Sequence, residues 1–190
     1  MMVVIFVYIF IKGKKMSTIY GEERNIEKSA IDTIRIILIA NRYKKVTVVK
    51  SFKQANKTKL DYELKNAIIC VKVNRTTHKG IEIGSYLTQR RVLIVIDIFG
   101  TSDGQIKDLK DCLISNLKSG INYYEYTVRE GETSDAIYES GVEIDGRLIV
   151  DVENIIDNEI NLGEDKASID PQDRYRWQII LPCFKSKVEV

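Results

Sequence analysis

The residues able to do chemistry in this chain are few, and their spacing limits what they can do. Asp61, Glu63 and Lys65 alternate within the polar stretch NKTKLDYELK, and Asp97 lies inside an apolar run. A magnesium-dependent nuclease holds its acids and lysine around a cation, on adjoining strands. Three alternating residues in one charged stretch read as a solvated face. A metal-dependent nuclease, or another DNA-processing enzyme, therefore stands as a second reading, resting on Asp61, Glu63, Lys65 and Asp97. His78, the single histidine, has no Cys or His companion at metal-ligand spacing. Cys70, Cys112 and Cys183 are widely separated, with no C-x-x-C pair. An odd count in apolar surroundings predicts free buried thiols in a reducing compartment. Tyr123, Tyr124 and Tyr126 cluster in INYYEYTV. They could stack bases in a monomeric nucleic-acid-binding module, or serve as core or subunit-interface aromatics. No catalytic, metal or cofactor constellation emerges.

The elements that must position these residues centre on residues 80–120. A strand over 91–99 shows Val92, Ile94, Ile96 and Ile98 on one face, and Leu93, Val95, Asp97 and Phe99 on the other. Two apolar faces predict a central strand covered on both sides. A Gly/Ser/Asp turn follows. Ser102 is placed to cap a helix, with Gln105 completing a capping box. Ile106, Leu109, Leu113 and Leu117 make the buried stripe, Lys107, Lys110 and Lys118 lie off it, and Gly120 ends it. The turn FGTSDGQ lacks the spaced glycines and Lys-Ser/Thr pair of a phosphate loop.

These residues carry a resemblance. The pattern is I-E-I-G-S, then an Arg-led apolar strand ending I-D-I-F-G, then S-D-G-Q-x-x-D-L-x-D opening a helix. It resembles the tail completion proteins (tail terminator or neck proteins) of tailed bacteriophages. The matching residues are Glu82, Ile83, Gly84, Ser85, Asp97, Ile98, Phe99, Gly104, Gln105, Asp108, Leu109 and Asp111. Ile83 replaces the commoner Leu, and Gly100 the commoner Ala. The match covers the middle of the chain; the flanks agree only in the order of elements. The motifs are structural. The resemblance implies a ring of commonly six copies that terminates the tail tube, joins it to the capsid connector and leaves a bore for DNA.

Composition agrees with an ordinary globular protein. Across 190 residues, 44% are hydrophobic and 29% charged, with a net charge of +2. That balance offers no footprint for sequence-independent nucleic-acid binding. Residues 1–15 form an apolar extension, MMVVIFVYIFI followed by lysines. It is too short to span a membrane and lacks the charged start and cleavage site of a signal peptide. It reads as a misannotated start before Met16, an arm pairing with a neighbouring subunit, or a surface anchor. Residues 16–190 then form one domain.

In order, the sequence predicts a helix over 22–40 with Ile26, Ala30, Ile34, Ile37 and Leu38 inward, its end IRIILIA deeply packed on all sides. Strands follow at 45–52 and 67–73, a polar Lys-rich flap lying between them and a turn over 74–79 after them. Beyond the central unit come a tyrosine-rich strand, a loop over 129–140, and a strand over 146–155 with Leu148, Val150 and Val152 inward. An acidic loop over 156–170 precedes a last strand at 174–183. The fold class is α+β: a two-layer sandwich, a mostly antiparallel mixed sheet with two main helices packed on one face. Subunit contacts are expected from Tyr123, Tyr124, Tyr126, from Glu153, Asp157 and Glu159, and from Arg174 and Arg176, the arginines forming a rim set with the acidic loop. Expected partners are copies of the chain, the tail tube protein and connector proteins, in the virion neck after assembly in the bacterial cytoplasm. DNA would pass without recognition, and no membrane is involved.

Overall fold

The computed structural model describes residues 18–19, 21–50, 53, 55, 66–80, 88–128, 138–160 and 176–186. Their elements are β1 (Thr18–Ile19), α1 (Glu22–Ala40), β2 (Val46–Val49), β3 (Ala67–Gly80), β4 (Thr88–Phe99), α2 (Asp103–Leu117), β5 (Ile121–Val128), β6 (Tyr138–Val150), a short 3₁₀ turn (Val152–Asn154), β7 (Ile156–Glu159) and β8 (Arg176–Lys185). The strands form one curled sheet in the order β1-β5-β6-β8-β4-β3-β2, with β7 also paired to β8. Every pairing is antiparallel except β2 on β3. This is the α+β architecture expected.

Alternation along the central strands sorts the side chains. Val92, Ile94, Ile96 and Ile98 of β4 join Ile69 and Val71 of β3 and Ile179 and Leu181 of β8 in the main core. Both helices close that core, α1 through Ile26, Ala30 and Ile34, α2 through Ile106, Leu109, Leu113 and Leu117. Each isoleucine fully buried there contributes roughly 1.5–3 kcal/mol. The reverse face holds a smaller cluster: Val49, Ala55, Ile68, Cys70 and Phe99.

Helix α2 is capped nearly as predicted. Ser102 Oγ accepts from the Gln105 amide at 3.3 Å. Gln105 Oε1 reaches back one residue further than a capping box requires, accepting from Thr101 N at 2.9 Å and Thr101 Oγ1 at 3.0 Å. Gly120, at φ 93°, supplies the left-handed residue after the helix. Gly100 lets the strand-to-helix turn close tightly, since a Cβ there would meet Ile106 Cγ1.

Several expectations are corrected. The end of α1 is not packed all round: Ile36 is 61% and Ile39 76% exposed, because the helix lies against the sheet with only one side. Residues 74–79 are not a turn. β3 continues through them to Gly80, absorbing one residue in a bulge between Val73 and Arg75. The strand expected over 146–155 breaks after Val150 into the 3₁₀ turn, which leaves Val152 46% exposed rather than inward. The start of the acidic loop is instead β7, paired to β8 from Ile156↔Ile180 to Glu159↔Trp177. Of the loop expected over 129–140, residues 138–140 belong instead to β6, which starts eight residues before the strand expected there; the rest of that loop and the flap over 52–65 lie outside the described residues, apart from residues 53 and 55.

Candidate functional site

Three arrangements could carry function, and each is built by the sheet. The first is a polar set on the face opposite the helices. Asp97 is completely buried. Arg176 donates to its Oδ1 from Nη2 at 2.9 Å and from Nε at 3.3 Å, and Gln178 Nε2 donates at 3.0 Å. Asp97 Oδ2 is buried without a hydrogen-bond partner. Cys70 faces Asp97 directly across the β3–β4 ladder. Burial, with the nearby Asp97 charge adding to it, pushes the Cys70 thiol up to about 11. A thiol held protonated is a poor nucleophile. The set ties β4 to β8 through Asp97, Arg176 and Gln178.

The second arrangement joins α1 to β5. Asn25, Ser29 and Asp32 follow one another at helical spacing on α1. Asn25 Oδ1 accepts from Tyr126 N at 3.1 Å. Ser29 Oγ accepts from Tyr124 N at 2.9 Å, and Tyr126 Oη donates to Asp32 Oδ2 at 2.9 Å. Irregular pairing between β5 and β6 on either side of Tyr124 leaves backbone groups that the helix satisfies. Sequence reading missed this polar stripe. Its signal was present: three short polar residues at i, i+4 and i+7 inside an otherwise apolar helix face.

The third arrangement is the pair of sheet margins. β7 pairs only with β8 among the described residues, and all four of its residues are exposed. On the far side, β2 pairs with β3 only from Ala67 to Cys70. Among the described residues the strand partner of the outer half of β3 is β4, and Thr76 and His78 there line a pocket with Glu22 and Arg24 of α1. Between the two margins, on the face away from the helices, lies a groove of about 360 Å³ lined by Arg75, Arg91, Leu93, Asp151, Pro182 and Phe184 among others.

The expected site residues fall into this frame as follows. Tyr123 is 1% and Tyr126 5% exposed, so both belong to the protomer's own core and neither is a subunit-contact or base-stacking surface; Tyr124 is half-buried. Lys185 sits 4.6 Å from the Tyr123 ring centre and pairs with Glu22 at 3.0 Å. Glu153, Asp157 and Glu159 are exposed, and Asp157 lies 3.3 Å from Lys110. Arg176, expected at the rim, turns inward to Asp97, because a buried carboxylate holds a guanidinium more strongly than a solvated acid does. Phe99, Gln105, Asp108 and Leu109 hold structural places around the β4–α2 turn: Phe99 and Leu109 are buried, Gln105 caps, Asp108 is exposed. Glu82, Gly84, Ser85, Asp61, Glu63, Lys65 and Arg174 lie outside the described residues. His78 is on β3, opposite Arg90. The cysteines are free. No group of three or more His, Cys, Asp or Glu residues placed to hold a metal ion occurs among the described residues. No helix described there is long and apolar enough to cross a membrane.

No family model matches the chain, and no curated protein matches it.

Proposed function

We propose that this chain is a structural protein of a phage neck or tail, forming a ring that terminates the tail tube and joins it to the capsid connector. The observation that carries the reading is the placement of exposed aliphatic side chains. Ile36 and Ile39 stand out from α1, while Ile149, Val152 and Ile156, between 42% and 46% exposed, line the β6–β7 margin of the sheet. Exposed apolar surface marks contact sites. Two unlike sticky surfaces on one protomer suit a head-to-tail contact, and a head-to-tail contact repeated by rotation closes into a ring. The β4–turn–α2 segment, with Asp97 and Gln105 in structural roles, adds the resemblance to tail completion proteins. The chain's work in this reading is shape and adhesion, with no bond broken.

The test is to mix the purified protein with tail tubes and image the product by electron microscopy, with solution mass measured alongside. A ring at one end of each tube is the expected result. A protein that stays monomeric at high concentration and ignores the tubes overturns the reading.

A further inference from the structure

Building on that ring reading, we infer that the subunit contact is made on the face of the sheet: Val152, Glu153 and Ile156 of one copy seat in the arginine-lined groove of the next, with the Glu153 carboxylate between Arg75 and Arg91.

Strand register builds the groove. On the face away from the helices, Thr77, Arg91 and Phe184 lie opposite one another in one row, and Arg75, Leu93 and Pro182 in the next, across β3, β4 and β8. Arg75 and Arg91 are therefore diagonal neighbours, about 7–8 Å apart at the backbone, a span that long side chains bridge. Both are exposed, and neither makes an ion pair or a side-chain hydrogen bond among the described residues. The acid that lines the groove, Asp151, is engaged by Asn154, whose Nδ2 donates to Oδ2 at 2.9 Å. Two guanidiniums side by side with no acid between them suit a carboxylate brought from outside. Leu93, Pro182 and Phe184 supply an apolar floor beside them. At about 360 Å³ the groove is at the small end of ligand cavities, which run roughly 300–1,000 Å³. It takes a few anchoring side chains of a larger partner.

The same chain displays the matching surface. The segment from Asp151 to Glu159 reads DVENIIDNE, with four acids and no base. Glu153 is exposed and makes no ion pair or side-chain hydrogen bond among the described residues, whereas Asp157 is held by Lys110. Val152 and Ile156, each 46% exposed, stand near Glu153 in the sequence. One carboxylate flanked by aliphatics answers two guanidiniums beside an apolar floor, so charge and apolar area are matched together. A run of phosphates would match the arginines and leave the floor unused, which favours protein over nucleic acid. Arginine and aromatic side chains in a groove are the usual anchors of such contacts. The contact is made by side chains on the face of the sheet and leaves the strand edges out. The two surfaces are unlike, so repeating the contact runs head-to-tail.

The experiment uses the full chain and native mass spectrometry, with and without tail tubes. One variant carries Arg75→Glu and Arg91→Glu in the groove, and a second carries Glu153→Lys on the turn. Each alone should be monomeric. A 1:1 mixture should regain closed oligomers of even copy number, since each groove then meets a side chain of opposite charge. Lys44→Glu with Lys45→Glu makes the same charge change at exposed residues that do not line the groove, and should assemble as the wild type does. Circular dichroism confirms that each variant is folded. As a check that does not depend on charge, Arg91→Cys with Glu153→Cys in a Cys112→Ser background should give an interchain disulfide on oxidation. Rings that persist in both charge variants overturn the groove contact and leave the ring reading standing. A wild-type protein that stops at dimers, dispersed by either variant, keeps the groove contact and overturns the ring. Wild-type protein that is monomeric under every condition overturns both.

Discussion

Arg176 on β8 reaches diagonally across the ladder to Asp97 on β4, its Nη2 lying 2.9 Å from a carboxylate that is wholly buried. The arginine is itself only 21% exposed. Removing one member of a buried pair strands the other, at a cost of about 3–5 kcal/mol. Arg176→Ala should therefore lower unfolding stability by that amount in urea titrations. Replacing both residues, as Asp97→Leu with Arg176→Met, should recover most of the loss, because the desolvation of both charges goes with them. A double variant as unstable as Arg176→Ala would count against this account of the pair.

Alkaline pH should weaken the fold. Burial pushes the Cys70 thiol up to about 11 and the Cys183 thiol up to about 12, from an ordinary 9.0, with Asp97 and Asp151 adding respectively. Burial and the hydrogen bond to Asp32 also raise the Tyr126 phenol above its ordinary 10.0. In each case the unfolded chain releases its proton first. The thiol contribution is whole below pH 9 and declines as pH rises from 9 towards 12. Its slope is at most roughly 1.4 kcal/mol per pH unit for each group. Denaturation midpoints measured at pH 8, 9.5 and 10.5 should fall in that order; a flat profile contradicts the assignment.

Thiol labelling should discriminate among the cysteines. Cys70 and Cys183 are buried, whereas Cys112 is half-buried on α2. At pH 8 in native buffer, a thiol reagent followed by peptide mass spectrometry should modify Cys112 first and the other two only in denaturant. Equal labelling of all three in the native protein would contradict the burial described.

The left-handed turn at Gly120 should be intolerant. A Cβ at that position would lie 2.9 Å from the Leu148 carbonyl oxygen, and φ is already 93°. Gly120→Ala should cost at least about 1–2 kcal/mol. Ser102→Ala, which removes the cap at the other end of α2, should cost about 1 kcal/mol. Differential scanning calorimetry of the two variants should show the same order.

Surface aliphatics should separate assembly from folding. Ile36→Glu with Ile39→Glu alters two side chains that are 61% and 76% exposed. Each change should shift protomer stability by no more than about 0.5 kcal/mol, yet ring formation on tail tubes should fail. Thermal melts and electron microscopy on the same preparation read the two effects apart. Rings that form normally would remove α1 from the subunit contact.

Much of this molecule could be read from its sequence, and the reasons are local. Backbone geometry alone sets the spacing at which side chains share a face. Residues 22–40 and the stripe Ile106, Leu109, Leu113, Leu117 therefore announced their helices. Alternation announced β4, and Ser102 announced where α2 begins. The same local rules failed where polarity stood in for turns. The residues NRTTHK look like a loop, but they ride on the edge of a sheet whose partner strand holds them extended. IDNE looks like part of an acidic loop, yet β8 recruits it as β7.

The tertiary structure alone decided which side chains are available. Asp97 and Arg176 are 79 residues apart, and Ser29 and Tyr124 are 95. No local periodicity links such positions; strand register and helix placement do. The same long-range packing draws Tyr123 into the core while leaving Ile36 and Ile39 in water. It also sets an acidic segment and an arginine-lined groove at different places on the sheet. Sequence determined the elements because each is a matter of neighbouring dihedral angles and spacing. Their surfaces were settled only when distant strands met, since burial is a property of what lies opposite.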